Sequence, residues 1–242
     1  MSFSDPLIPR NRVVHPVTCD NEYKSSVLRS PKLPLLTMES TLSEETGPVF
    51  GHDLIGPLDN NLIVNFSQGK SQAIGERIRI HGHVRDERGR GVPQTMVEIW
   101  QANAGGRYRH DKDKYFAPLD PNFGGCGRTL TDDHGHYEFM TIRPGAYPWP
   151  NRTNDWRPMH VHFSVFGTGF GQRLMSQMYF EGDPLIDLCP IASTIKSRDQ
   201  LSRLVAPLDM PGSRPMDYLA YKFDIVLRGR QQTLFENKVQ GN

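Results

Sequence analysis

The chain has 242 residues, and its 28 basic and 27 acidic side chains leave a formal charge of +1. A chain of this length buries roughly 70–75% of its unfolded surface, so it can form a large core. The near-neutral charge excludes the broad basic surface that holds nucleic acid or an anionic membrane. No apolar run approaches the ~20 residues that span a bilayer, and the opening MSFSDPLIPRNR lacks the apolar stretch of a secretory signal. These features predict a cytoplasmic protein that binds neither nucleic acid nor membrane.

The numbers of cysteines, prolines and glycines bear on the fold class. Cys19, Cys126 and Cys189 are widely spaced, which indicates buried or incidental thiols rather than a disulfide framework or a CxxC pair. The 19 prolines and 22 glycines are spread along the chain, where they interrupt long helices and favour short strands joined by turns. We therefore expect an all-β fold, an antiparallel β-sandwich with an extended N-terminal arm and one or two short helices.

The first 70 residues differ in pattern from the rest of the chain. They have little periodicity and many prolines and glycines, which predicts an extended arm at a subunit interface rather than a separate domain. The apolar run LIVNF at 62–66 predicts a first strand near the end of the arm. Residues 71–242 are predicted to form the sandwich domain that carries the functional site.

Alternation of apolar and polar residues predicts the strands of this domain. RIRIHGHVR at 77–85 alternates strictly, as expected of a half-exposed strand. The turn DERGRG leads from it into a return strand that ends at Trp100. A second hairpin is predicted with its turn at 132–135. Further strands are predicted at MHVHFSVFG, QMYF and YKFDIVLRG.

One helix is predicted near the C-terminal end. Ser197 and Gln200 have the spacing of a capping box at a helix N-terminus, and Pro207 ends the helix. Its apolar face is predicted to consist of Leu201, Leu204 and Val205.

Three His-x-His pairs are candidate metal sites, because residues i and i+2 of a strand project from the same face. The first pair, His81 and His83, shares its face with Arg79 and Arg85. Since two positive side chains repel a cation, this pattern favours a structural role for the pair.

The second pair, His134 and His136, flanks a glycine in a DDHG turn. Asp132 and Asp133 have side chains that can complete a metal site, but the same residues are good turn formers. Hairpin formation explains the sequence without a metal, so we expect a turn here.

The third pair, His160 and His162, lies in WRPMHVHFSVF, where the alternate positions Val161, Phe163 and Val165 form an apolar face. Two adjacent histidines on the opposite, inward face require polar partners. A metal ion is one partner that satisfies both imidazoles.

Two tyrosines lie in loops rich in glycine or proline: Tyr108 in ANAGGRYRH and Tyr147 in RPGAYPWPN. Taken singly, loop tyrosines indicate surface or packing roles. Together with the third histidine pair they suggest a metal centre, because a phenol with a pKa near ~10 stays deprotonated only on a strongly Lewis-acidic ion. Ferric iron has this property, whereas zinc favours His, Cys and carboxylate ligands, and ferrous oxygenases favour two His and one carboxylate.

Three segments occur together in a characteristic order: HGHVRDERGRGVPQTMVEIWQANAGGRYRH, TIRPGAYPWPN and DWRPMHVHFSVFG. In these segments the chain resembles the intradiol dioxygenase family, and the resemblance runs from about residue 15 to the C-terminus. EYKSSVLRSPK and DYLAYKFDIVLRGR resemble the branch that acts on protocatechuate. The resemblance implies cleavage of this catechol by O₂ to 3-carboxy-cis,cis-muconate, in aromatic catabolism by the β-ketoadipate pathway. Catechol and hydroxyquinol are the alternative substrates.

The resemblance also implies one non-haem Fe(III) per chain with hydroxide as a fifth ligand. The implied protein ligands are Tyr108, Tyr147, His160 and His162. Two phenolates and one hydroxide offset three positive charges, so such a buried centre carries no uncompensated charge. Tyr147 is implied to be the phenolate that leaves when the catechol binds, taking up a substrate proton.

Further roles follow from the same resemblance. Arg157 is expected to stabilise negative charge on the ring, and Gln177 to position this arginine and the substrate. Pocket walls are expected at Trp100, Trp149 and Ile191, and Tyr23 is expected to reach the substrate carboxylate. A homologous alpha subunit is implied, forming alpha–beta protomers in a larger assembly.

Two alternatives stay open on the residues alone. A non-catalytic β-sandwich binding module would show the same strand periodicity. Hydrolytic zinc chemistry at His160 and His162 would require a carboxylate as third ligand.

Overall fold

In this computed structural model, residues 17, 19–31, 33, 52–67, 69, 71–166 and 173–234 are described. The described residues contain two short α-helices, α1 (Lys24–Arg29) and α2 (Arg198–Ser202), and single 3₁₀ turns at His52–Leu54 and Ala192–Thr194. The strands are β1 (Arg77–Arg85), β2 (Met96–Trp100), β3 (Cys126–Leu130), β4 (His136–Ile142), β5 (Tyr147–Trp149), β6 (Asp155–Arg157), β7 (His160–Phe166), β8 (Arg173–Phe180), β9 (Val205–Ala206), β10 (Leu208–Arg214), β11 (Tyr218–Lys222) and β12 (Ile225–Val226). No helix in these ranges has the length and apolar character needed to cross a membrane.

Two five-stranded sheets form the body of the fold. In the first, β1 pairs antiparallel with β4 and parallel with β11 and β12, and β10 extends the sheet from β11. The second has the order β3-β2-β7-β8-β9 and is antiparallel except for the β8–β9 pair. The predicted all-β sandwich is confirmed. The parallel pairs were not predicted, and they arise where long connections rather than hairpins join neighbouring strands.

The core lies between these two sheets, as the alternation in the sequence predicts. Ile80 of β1 and Phe139 of β4 are buried core residues of the first sheet. Ile99 of β2 and Phe163 of β7 are buried core residues of the second. Because the side chains of a strand alternate between faces, the polar positions of β7 project from the opposite face of the second sheet. That outer face carries the candidate site.

Gly82 of β1 allows a close approach of two backbone segments. A Cβ at this position would lie 1.9 Å from the carbonyl oxygen of Phe223. This carbonyl also accepts a hydrogen bond from the buried hydroxyl of Tyr137 at 2.5 Å.

We therefore expect Gly82→Ala to lower the free energy of unfolding by about 1–3 kcal/mol, the usual cost of overpacking. The midpoint of urea unfolding measures the change. Gly56→Ala is the matched control, because its Cβ would meet the nearest atom, Asp59 Oδ1, at 3.4 Å, an ordinary contact distance. Equal midpoints for the two variants would contradict the close approach at Gly82.

The predicted strand at 62–66 is wrong. The carbonyl of Asn61 accepts hydrogen bonds from the backbone N–H groups of Val64 and Asn65, and its side-chain oxygen accepts one from Ile63. These bonds curl the segment into a turn, although Leu62 and Ile63 are buried as core residues. The apolar run therefore indicates that the segment is buried but does not indicate a strand, because asparagine favours local side-chain hydrogen bonds over a strand ladder.

The predicted helix is confirmed at its start but is shorter than expected. The Ser197 hydroxyl accepts a hydrogen bond from the Gln200 N–H at 3.4 Å, as predicted for the cap. The helix ends at Ser202, and Val205 pairs with Tyr179 as part of β9. The edge of β8 offers unpaired backbone groups, and a β-branched residue fits a strand there better than a helix.

The predicted strand at 221–229 is two strands, β11 and β12. Between them the Asp224 carboxylate accepts a hydrogen bond from the His83 N–H at 2.9 Å. Because this side chain replaces a backbone carbonyl in the ladder with β1, regular pairing stops after Lys222 and resumes at Ile225.

Candidate active site

The outer face of the second sheet aligns four of the candidate residues in register. Trp100 of β2 pairs with His162 of β7, which pairs with Gln177 of β8. His160 lies two positions earlier on the same face, opposite Tyr179. The Trp100 and His162 rings stack with their centroids 4.7 Å apart and an interplanar angle of 2°. The predicted division of β7 into an apolar face and a histidine face is confirmed.

Two loops bring the tyrosines over this face. Tyr108 follows β2, and its backbone N–H donates to the Asp113 carboxylate at 2.9 Å, which holds the loop. Tyr147 lies on β5 and pairs with Arg157 of β6. Gly106 lets the two loops pack closely, because a Cβ there would lie 2.2 Å from the carbonyl oxygen of Ala146.

The two phenols and two imidazoles converge. The hydroxyl oxygens of Tyr108 and Tyr147 lie 3.2 and 3.3 Å from the same atom, His160 Nε2. The two phenol rings meet edge to face with centroids 5.6 Å apart, and the rings of His160 and His162 are 5.0 Å apart. The four residues predicted as metal ligands thus form one cluster.

The Nε2 atom of His160 faces the two phenols as a hydrogen-bond acceptor. His160 is 2% exposed, and its Nδ1 lies 2.7 Å from the carbonyl oxygen of Pro158, which can only accept a hydrogen bond. Nδ1 therefore carries the proton, and the Nε2 lone pair faces the phenol oxygens. Burial, the Arg157 charge and His162 hold the pKa of His160 well below its ordinary value. A neutral imidazole in this orientation is suited to metal binding.

The pKa of Tyr147 bears on whether the cluster can hold a cation. Burial raises the pKa of Tyr147, although Arg157 and the hydrogen bond with Tyr108 act in the opposite direction. A phenolate at this position therefore needs a strong cation beside it at neutral pH. A hard trivalent ion fits a donor set of two phenol oxygens and two imidazoles, because anionic oxygen suits such ions.

Arg157 supplies a permanent positive charge next to the cluster. It is 2% exposed, its guanidinium donates to Gln177 Oε1, and it lies 5.8 Å from the ring centroid of Trp149. Burial lowers the pKa of Arg157, but the acidic side chains around it together raise the pKa above its usual value: Tyr179, Tyr147, Cys189 and Tyr108. Arg157 is not the surface residue that its sequence alone suggests.

Of the other predicted pocket residues, Trp149 borders the cluster, since its ring lies 6.2 Å from that of Tyr147. Half-buried Ile191 packs against a small apolar cluster that contains Tyr179. Tyr23, the residue before α1, is half-buried.

Two residues with contacts at the site were missed from sequence. Tyr179 donates its hydroxyl to Gln177 Oε1 at 3.3 Å, and Asn151 binds the arm beside Tyr23. Strand alternation would have placed Tyr179 on the face of Gln177, because the two residues are two positions apart. No comparable signal marks Asn151.

The first histidine pair has the predicted structural role. His81 Nε2 lies 2.9 Å from the Asp209 carboxylate, and His83 Nδ1 lies 3.6 Å from that of Asp224. Burial lowers the pKa of His81, while the bond to Asp209 raises it less. These contacts tie β1 to its neighbours.

The predicted turn of the second pair is confirmed, but the predicted hairpin around it is wrong, because β3 pairs with β2 in the second sheet and β4 pairs with β1 in the first. Asp132 Oδ1 accepts hydrogen bonds from the backbone N–H groups of His134 and His136, both at 2.8 Å, and Gly135 has φ +78°.

Across the described parts of the chain, no three His, Cys, Asp or Glu side chains are grouped to hold a metal ion. The zinc hypothesis for His160 and His162 therefore has no carboxylate to serve as third ligand among these residues.

Two family models match the chain. The model for "Dioxygenase" covers residues 45–229, and the model for the N-terminal segment of the protocatechuate 3,4-dioxygenase beta subunit covers residues 8–41. Curated relatives match over nearly the whole chain. The protocatechuate 3,4-dioxygenase beta chain of Burkholderia cepacia is 47% identical over 95% of this chain and 97% of its own length. The alpha chain from Pseudomonas putida is 29% identical over 84% and 98%.

Solved structures match the fold at low identity. The 3-chlorocatechol 1,2-dioxygenase of Rhodococcus opacus has a TM-score of 0.54 and 21% identity, with 71% of this chain and 65% of that chain covered. A chlorocatechol 1,2-dioxygenase of Pseudomonas putida has a TM-score of 0.51 and 22% identity, covering 86% and 78%. These structures support the fold, and the family model across residues 45–229 and the 47% identical relative show the family. The chain belongs to the intradiol dioxygenase family.

Proposed function

We propose that the chain is the catalytic subunit of a protocatechuate 3,4-dioxygenase, which opens protocatechuate with O₂ to give 3-carboxy-cis,cis-muconate. The observation that carries this proposal is the convergence of two phenol oxygens on the unprotonated Nε2 of His160. The relative that is 47% identical bears this activity in its name, which supports the choice of substrate.

We propose one non-haem Fe(III) per chain, with Tyr108, Tyr147, His160 and His162 as its ligands. When bound, Fe(III) supplies the Lewis acidity that draws charge from a catechol dianion and makes the ring carbon reactive toward O₂. The Pro158 carbonyl keeps the His160 lone pair aimed at the phenols. His160 and Arg157 are both buried, and charges in such surroundings interact more strongly than in water.

Tyr147 is proposed to accept one catechol proton. Its phenol oxygen is one of the two that meet at His160 Nε2, and as a phenolate it would offer an oxygen base to a catechol hydroxyl. Arg157 is proposed to stabilise negative charge on the ring during attack by O₂, since its charge is permanent and buried. Gln177 accepts from Arg157 and so fixes the direction of the guanidinium.

The pocket walls are proposed to be Trp100, Trp149 and Ile191, with Tyr23 binding the substrate carboxylate. The assembly is proposed to pair this chain with a homologous alpha subunit. The alpha chain from Pseudomonas putida supports this, because 29% identity over 84% of this chain indicates a partner of the same fold.

The proposal is tested by oxygen uptake with protocatechuate and with catechol, using the chain alone and the chain co-expressed with an alpha subunit. We expect one O₂ consumed per protocatechuate, both atoms of labelled O₂ in the dicarboxylate product, and slower turnover of catechol. Preference for catechol or hydroxyquinol would overturn the substrate assignment. Absence of ring opening with every catechol, in iron-loaded and co-expressed protein, would contradict the reaction itself and favour a binding module.

A further inference from the structure

Asn151 connects the N-terminal arm to the hairpin that carries the site. It lies in the turn between β5 and β6, and its Oδ1 accepts a hydrogen bond from the Lys24 backbone N–H at 2.7 Å. Its Nδ2 donates to the Glu22 carbonyl at 3.2 Å and to the Asp155 carboxylate at 2.9 Å. The amide orientation is fixed, because a flip would set its oxygen against two acceptors.

The two backbone groups that Asn151 binds lie on either side of Tyr23. A side-chain amide that bonds the C=O of one residue and the N–H of the second residue after it grips the peptide as a neighbouring strand would. The turn that holds these two bonds joins β5, which carries Tyr147 and Trp149, to β6, which carries Arg157. The contact with Asn151 therefore joins the arm directly to the site.

Two ion pairs accompany this contact. Glu22 pairs with Arg152 and Asp20 pairs with Lys196 at 3.2 Å, and in both the basic side chain is largely exposed. Exposed pairs of this kind contribute little to stability because solvent screens them. The two hydrogen bonds from the Asn151 amide to the arm are thus the directional part of the attachment, and the third holds the amide on the hairpin.

We propose that Asn151 is a positioning residue that fixes Tyr23 at the edge of the active site, so that substrate affinity depends on it. The affinity part of this inference rests on the proposed ring-cleavage function; the attachment of the arm does not. Asn151 contacts the arm and the hairpin, and acts on the substrate only through Tyr23.

The test compares Asn151→Ala with Asn154→Ala in the full-length chain. Asn154 lies in the same turn, but its side chain bonds to Trp156 Nε1 within the hairpin, so it is a matched control. Hydrogen exchange of the peptide spanning 20–26 reports on arm attachment without any substrate. We expect its protection to fall about tenfold in Asn151→Ala and to be unchanged in the control.

Steady-state kinetics with protocatechuate test the positioning role. In Asn151→Ala we expect KM to rise about tenfold, with kcat within about twofold and the visible absorption unchanged. Tyr23→Phe should also raise KM, and adding Asn151→Ala to it should raise KM little further, because both act through one phenol.

Three results would overturn the inference. Unchanged protection of residues 20–26 in Asn151→Ala would show that the amide does not hold the arm. Lost protection with unchanged KM, or a full additive rise of KM in the double variant, would show that it does not act through Tyr23. If wild-type protein opens no catechol, the proposed function fails, and exchange alone then decides whether Asn151 holds the arm.

Discussion

Tyr108→Phe is expected to lose most of its iron and nearly all activity. The substitution removes one of two phenol oxygens that meet at His160 Nε2 and leaves the ring and its packing in place. Mutating a residue that contacts only a metal ligand typically lowers the metal affinity 10–100-fold, so loss of a direct ligand should lower it about 100-fold or more. Metal analysis, the visible spectrum and oxygen uptake measure the change.

Tyr115→Phe is the control for this substitution. Tyr115 lies in the same loop and packs edge to face on Phe116, away from the phenol–imidazole cluster. We expect it to retain iron, colour and turnover. If Tyr108→Phe kept the metal and the activity of wild-type protein, the phenol would not be a ligand, and zinc chemistry at the histidines would regain support.

Arg157→Leu is expected to keep its iron and its colour while kcat falls about 100- to 1,000-fold, the usual cost of losing one preorganised charge-stabilising donor. The guanidinium is buried, points at Gln177 and lies beside the ring of Trp149, and leucine supplies no charge to replace it. Stopped-flow measurement of substrate binding and of the oxygen-dependent step separates binding from chemistry.

A conservative variant and a surface control make this result specific. Arg157→Lys keeps the positive charge and should recover part of the lost kcat, which a purely structural role would not predict. Arg128→Leu removes an arginine from β3 whose partner is Glu98, and it should leave kcat unchanged. A kcat near wild type in a folded, iron-loaded Arg157→Leu protein would remove this residue from the proposed mechanism.

Strand alternation was the reliable part of the sequence analysis. It assigned β1 and the two faces of β7, because burial of one face imposes a period of two on the side chains. Alternation failed where side-chain hydrogen bonds to the nearby backbone, or pairing with the edge of a folded sheet, determined the structure. The turn at 62–66 follows from asparagine bonding, and Val205 joined a sheet edge that only the folded chain provides.

The chemistry of the site was predicted from residue types, but its geometry was not. Residue chemistry suggested grouping the two tyrosines with the two histidines, and the family resemblance implied that all four bind one metal. No local pattern shows that they meet, because Tyr108 and His160 are 52 positions apart. The resemblance also gave Arg157 and Gln177 their roles. Asn151 was missed, since a contact with an arm 127 positions away leaves no local pattern.

The ligand set is tested most directly by metal content and visible absorption of the purified wild-type protein. We predict one iron per chain and a coloured protein whose absorption arises from phenolate-to-iron(III) charge transfer, lost on removal of the metal and restored by iron. A folded, metal-replete protein that is colourless, or that holds zinc in place of iron, would contradict the site built from Tyr108, Tyr147, His160 and His162.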